Sequence, residues 1–256
     1  MSVRDKLSPM TTVFVHGVPE TPALWDPLLQ HLTRRDVNTV QLPGFGCPRP
    51  DGFDATKETY VGWVVAELEK LQDQGPVDLV GHDWGGGFVV RVVSTRPELV
   101  RSWVCDAAGI GDVNFEWHEF AKIWQTPGDG EAFFEQQLAQ PAKDRAAVFE
   151  MFGVPSDGAA AMAGWIDQTM AGCILALYRS ALKVGEEWGP DFRDVPAPGM
   201  VLLPSEDPFL NADGARSAAA LAGAQVTGLP GLGHWWMLQD PVRGAAVLEE
   251  FWASLT

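Results

Sequence analysis

Val77-Asp78-Leu79-Val80-Gly81-His82-Asp83-Trp84-Gly85-Gly86-Gly87 is the stretch on which the fold turns. An apolar run stops at an acid flanked by glycines and passes directly into a helical pattern. The spacing Gly81-x-Asp83-x-Gly85 is that of a nucleophile elbow, a strand-to-helix turn so sharp that its flanking positions have no room for side chains. Such a turn presents Asp83 at its tip. The free N–H groups and dipole of the following helix favour an ionised carboxylate there. An Asp in place of Ser changes the chemistry, because a carboxylate attacks saturated carbon and leaves an alkyl ester. The competing reading is an Asp that caps the helix, and these eleven residues do not separate the two.

Outward from the elbow the chain alternates. Residues 11–15 form a β-branched run ending in His16-Gly17-Val18-Pro19, and Trp25, Leu28, Leu29 and Leu32 then recur at helical spacing. A strand is expected at 37–42, a helix from Thr56 along the Tyr60, Val61, Val64, Leu68 and Leu71 face, and the elbow strand after Gly75-Pro76. A helix over about 85–96 and a strand at 102–105 follow. Strict alternation of this kind means a parallel sheet covered on both faces. After Gly109 the rhythm fails: residues 111–192 carry helical patterns rich in aromatics and Ala, broken at Pro127-Gly128, Pro141 and Pro155. Alternation resumes with a strand at 200–203, a helix near 212–222, a strand at 225–229 and a helix over 241–252. The expected organisation is a core in two parts, 1–110 and 193–256, interrupted by a helical cap at 111–192.

Composition narrows the partners. A chain of 256 residues with 46% hydrophobic content can bury a full core. A formal charge of −16 argues against nucleic acid and anionic membrane surfaces, and disfavours strongly anionic substrates. Residues 1–10 show no leader pattern and no run approaches a membrane span, so the expectation is a cytoplasmic protein. Cys47, Cys105 and Cys173 are isolated and lack metal-ligand spacing, which reads as reduced thiols. No cofactor and no metal is expected.

Partners for Asp83 stand at the ends of later strands. The 200–203 strand runs into Pro204-Ser205-Glu206-Asp207-Pro208, and the 225–229 strand into Gly231-Leu232-Gly233-His234. The order nucleophile, acid, His is that of α/β-hydrolases. His234, in a glycine-rich loop, has no helix face to serve. Asp106, at the end of an earlier strand, competes with Asp207 for the role of orienting it, and Asp207 is preferred.

Taken together, His16-Gly17-Val18-Pro19, Gly81-His82-Asp83-Trp84-Gly85-Gly86, Asp207 and His234 resemble the epoxide hydrolase and haloalkane dehalogenase branch of the α/β-hydrolase superfamily, over nearly the whole chain. The resemblance implies an α/β-hydrolase fold, a mostly parallel sheet of six to seven strands with helices on both faces and a helical cap. It leans to the epoxide side: dehalogenases typically carry Asn after His-Gly and Gln before the nucleophile, where this chain has Val18-Pro19 and His82. It implies that Asp83 opens an epoxide, that His234 and Asp207 activate the water that hydrolyses the ester, and that the Val18 and Trp84 amides form the oxyanion hole. Epoxide opening also needs a donor for the ring oxygen, which the family supplies from cap tyrosines. Tyr178 resembles the second of these, Tyr60 belongs to a core helix, and His118 in Trp117-His118 stands where the first is expected. Fluoroacetate dehalogenases resemble the chain in the cap, but their carboxylate-holding arginines are replaced by Trp84 and Gly87. The expected product is a vicinal diol from a small, neutral, apolar epoxide, with haloalkane dehalogenation as the alternative. Only about ten residues precede the first strand, so a homodimer is one way of covering the trimmed sheet.

Overall fold

The structure, a computed structural model, describes residues 10–255. The N-terminal stretch searched above for a leader lies almost entirely outside the described residues. Six strands, β1 (Thr12–Val15), β2 (Val37–Val40), β3 (Val77–Gly81), β4 (Val100–Cys105), β5 (Gly199–Pro204) and β6 (Gln225–Leu229), form one sheet in the order β2-β1-β3-β4-β5-β6. Every pairing is parallel. The fold class read from the alternation is the one observed.

Side chains alternate across each strand, and the alternation builds two cores. Val13, Val15 and Leu79 face one way, onto helices Lys57–Glu69 and Trp84–Thr95. Phe14 and Val80 face the other, onto Trp25, Leu28 and the C-terminal helix Pro241–Ala253. Thr56 caps the first of these helices, its side chain accepting from the Thr59 amide. One expected helix is corrected: the Trp25, Leu28, Leu29, Leu32 periodicity belongs to a 3₁₀ turn, Pro22–Trp25, and a single α-turn, Asp26–Leu29. Their apolar faces are buried all the same, so periodicity located the burial without fixing the length.

Between β4 and β5 the described chain holds helices and no strand, including Glu119–Gln125, Asp129–Ala139, Ala142–Met151, Ser156–Trp165 and Gln168–Ser180. Helix ends fall at each proline break. Among the described residues no single helix is long and apolar enough to cross a membrane. All three cysteines are free.

Topology decides where chemistry can occur. The chain moves from β1 outward to β2, then returns to place β3 on the other side of β1. Loops leaving the carboxyl ends of β1 and β3 therefore diverge and open a crevice between them. The loops after β4, β5 and β6 close the same edge.

Candidate active site

Asp83 sits at the tip of the turn between β3 and helix Trp84–Thr95 with φ 49° and ψ −122°. An L residue holds such a backbone only where its surroundings impose it. The flanking glycines are part of that imposition: a Cβ on Gly81 would lie 2.3 Å from the Gly85 carbonyl oxygen, and one on Gly85 would lie 2.2 Å from that of Val15. The capping alternative fails, because the Asp83 side chain makes no hydrogen bond to its helix. Its Oδ1 instead accepts from the Val18 amide at 2.9 Å. The Val18–Pro19 peptide is cis.

His234 Nδ1 lies 2.8 Å from Asp207 Oδ2, and its Nε2 lies 3.9 Å from Asp83 Oδ2. The structure thus brings Asp83, His234, Asp207 and the Val18 amide together as the sequence order requires. Trp84, whose amide is the second oxyanion donor expected from the sequence, opens the elbow helix. Asp207 is the carboxylate on His234, and Asp106 has a different role. One oxygen of Asp106 accepts from the Asp83 amide at 2.9 Å, and the other meets His82 Nδ1 at 2.6 Å and the Trp236 indole N–H at 2.7 Å.

Beneath the triad lies a layer that sequence reasoning missed. His82 Nε2 is 3.2 Å from Glu20 Oε1, which also accepts from Trp235 Nε1 at 2.7 Å, while Glu20 Oε2 accepts from the Gly17 amide at 2.8 Å. Burial depresses the His82 imidazole, but the Asp106 and Glu20 carboxylates outweigh it and hold the ring well above the ordinary range. His82 is therefore a buried cation between two carboxylates, with its ring centroid 4.6 Å from that of His234. Glu20, His82 and His234 could together face a metal ion, since their ligand atoms lie within 4.8 Å of one another. Those of Glu20 and His82 are already engaged with each other, so the set reads as a hydrogen-bonded layer. His16 lies beside it, Nδ1 2.8 Å from the Gly17 carbonyl, and burial lowers it to about 4.

Burial also governs the Asp83 and His234 side chains. It raises the Asp83 carboxyl to about 6, against the pull of His234. For His234, burial acts downward and the Asp207 carboxylate upward, and the net shift is upward, even though the His82 charge opposes it.

Tyr178 and His118 face this centre from the inserted helices. Tyr178 is fully buried, and burial together with the Asp83 charge keeps its phenol well above its usual range and hence protonated. Burial and the neighbouring His234 lower His118 to about 4, so it is neutral near pH 7. His118 Nδ1 accepts from the Ala121 amide at 3.2 Å, which places the ring proton on Nε2 and makes that nitrogen a donor. Tyr60 is structural, donating to the Pro43 carbonyl at 2.8 Å.

A cavity of about 160 Å³ reaches Asp83, His118, Tyr178 and His234, with aromatic walls that include Phe133, Phe149 and Trp235. A smaller one, of about 70 Å³, meets it at Asp83, His118 and His234 and is bounded by Trp84, Asp106 and Asp207. The Trp84 indole N–H is buried without a well-formed hydrogen bond, and the Tyr178 side chain is the polar group beside it.

Comparison with known proteins agrees with this fold. Residues 12–247 match the family model described as Alpha/beta hydrolase family. The chain belongs to that family, and its fold and family are those of a hydrolase. An epoxide hydrolase from Vigna radiata superposes with a TM-score of 0.77 at 19% identity, over 96% of this chain and 91% of that one. A haloalkane dehalogenase loop variant from Bradyrhizobium elkanii does so with a TM-score of 0.69 at 16% identity, over 98% and 93%. An (E)-2-((N-methylformamido)methylene)succinate hydrolase from Acinetobacter baylyi is 31% identical over 90 residues, 35% of this chain and 34% of that protein. The curated relatives it matches are covered over about a third of their length.

Proposed function

We propose that this protein is an epoxide hydrolase that forms a covalent ester on Asp83 and releases a vicinal diol. The observation that carries the reading is the division of labour within the Asp83 carboxylate. Oδ1 is held by the Val18 amide, while Oδ2 faces His234 without a hydrogen bond. Oδ2 attacks a ring carbon, the carbon–oxygen bond opens, and the alkoxide takes the Tyr178 proton while His118 Nε2 donates a hydrogen bond. Neutral His118 stabilises the oxygen without supplying a proton.

Hydrolysis reverses the charges. His234, oriented by Asp207, removes a proton from water, and the hydroxide adds to Cγ of Asp83. Negative charge then develops on Oδ1, where the Val18 amide already points; preorganised donors of this kind contribute about 3 kcal/mol each. The ester bond breaks, the diol oxygen takes the proton from His234, and the one proton released overall restores the Tyr178 phenol. Esterification has meanwhile removed the Asp83 charge that helped hold the imidazole protonated. The ring therefore sheds its proton more readily and is neutral in the step that must take one from water.

The apolar cavity supports a substrate that is apolar and uncharged around its reacting carbon. The Trp84 indole, without a well-formed hydrogen bond, favours a second reading, in which that N–H receives halide from a haloalkane attacked by the same Asp83. Intact-protein mass spectrometry of His234→Gln separates them, since this variant forms the ester without hydrolysing it. Gain of a whole epoxide mass, abolished by adding Asp83→Asn, is the expected result. Gain of a haloalkane less hydrogen halide assigns the dehalogenase instead, and no adduct from either panel rejects both.

A further inference from the structure

One wall of the larger cavity carries a charge that the scheme above does not use. Arg145, Val148, Phe149 and Phe152 all line it, at spacings of i, i+3, i+4 and i+7 along helix Ala142–Met151 and its C-cap. One face of that helix therefore forms the wall, and its first position is a guanidinium where the others are apolar. Val148 is 41% exposed, so this wall is in part open to solvent.

Among the described residues Arg145 is the only Lys or Arg lining the cavity. Its Nη1 donates to the Gln140 carbonyl at 2.8 Å, its Nη2 to that of Ala163 at 2.9 Å, and its Nε to Ala163 at 3.3 Å. Those contacts fix the guanidinium plane against two neighbouring helices. They engage three of its five N–H groups, and among the described residues it has no carboxylate partner, in a chain where acids outnumber bases 34 to 18. A wholly apolar ligand covering this position would strip water from two N–H groups and return nothing, which is costly for a charged donor. A carboxylate would meet both in the planar geometry that guanidinium favours.

We propose that Arg145 anchors a substrate carboxylate, so that the cavity takes a compact apolar body with its reacting carbon at Asp83 and its anionic end at the helical wall. The proposal rests on the reading that this cavity is the substrate site. A volume of about 160 Å³ suits a body the size of a substituted benzene ring. The overall charge of −16 acts mainly over distances that physiological salt screens. It leaves discrimination to the local guanidinium. Gln137, from the preceding helix, also lines the cavity.

Inert ligands test this independently of the reaction. Calorimetric titration with 4-ethylbenzoate and 4-ethylbenzamide should give the wild-type protein at least about tenfold tighter binding of the carboxylate, a difference of about 1.4 kcal/mol. Arg145→Gln should abolish the preference and leave the amide unchanged. Equal affinities in the wild type, binding of neither ligand, or a preference that survives in Arg145→Gln would each overturn the proposal. If that variant does not fold, the wild-type comparison decides alone. A carboxylate preference without any epoxide adduct on Asp83 would keep the anchor and reject the epoxide reading. Turnover of styrene oxide without a carboxylate preference would do the reverse.

Discussion

A carboxylate that attacks carbon must be ionised, reachable and spared from internal hydrogen bonds, and Asp83 meets each condition for a separate reason. His234 opposes the burial that would neutralise it, the elbow lifts it to the cavity, and the Val18 amide occupies only Oδ1. The donors opposite divide unequally. Tyr178→Phe removes the phenol proton and should slow ester formation by about 10²–10⁴-fold, read as the single-turnover burst with ester hydrolysis unchanged. His118→Ala removes a hydrogen bond but no proton and should cost about fivefold in the same burst, a single neutral hydrogen bond being worth about 1 kcal/mol. At this scale the sequence was legible where a strand ran out into a Gly- or Pro-rich loop, as at Asp83, Asp207 and His234. It was silent on Glu20, which follows Pro19 with no signature of its own and finds His82 sixty-two positions away. It also presented His82 as a mark of family likeness, when its chemistry is that of a caged cation.

The strand-turn-helix unit shows how local sequence rules become geometry. Gly85 is the tightest point, and Gly85→Ala would drive a methyl group into the Val15 backbone, which cannot move without shifting β1. The expected loss is about 3 kcal/mol, the upper range for overpacking, measurable by urea denaturation. The layer beneath behaves differently, because its stability lies in charge pairing. Asp106→Asn leaves the Asp83 amide an acceptor but removes one of the two carboxylates that balance His82, and breaking a buried pair from one side costs about 3–5 kcal/mol. A loss under about 1 kcal/mol would mean that Glu20 alone suffices. Elements with sustained periodicity were legible in the chain: the helix Ala212–Ala222 and the strand Gln225–Leu229 fall on the expected residues. The Pro22–Trp25 turn was not, since four apolar residues at helical spacing look alike whether one helix or two short turns carry them.

At the scale of the whole molecule, two layers of acid and imidazole share one buried edge, and their coupling sets the pH response. On the proposed scheme the site gains activity by losing protons. Asp83 must be ionised to attack, and burial has raised it to about 6. Below that pH the nucleophile is neutral, and kcat/KM should fall tenfold per pH unit. On the alkaline side Tyr178, shifted above its usual range, keeps its proton, so no loss from this group is expected up to about pH 9. The second half-reaction follows His234, which must be neutral to accept a proton from water. In the ester the Asp83 charge that raises its pKa is gone, whereas the opposing His82 charge stays. Ester hydrolysis should therefore titrate at a lower pH than His234 does in the free protein, a comparison made by pairing single-turnover decay with an NMR titration of the imidazole. Asp106→Asn would weaken the hold on the His82 proton, and its partial loss would relax the pressure on His234. The His82 charge also holds the Asp83 carboxyl down, so in that variant the ester-formation limb and the hydrolysis profile should both move toward higher pH, and a hydrolysis profile that did not move would show the two imidazoles to be uncoupled.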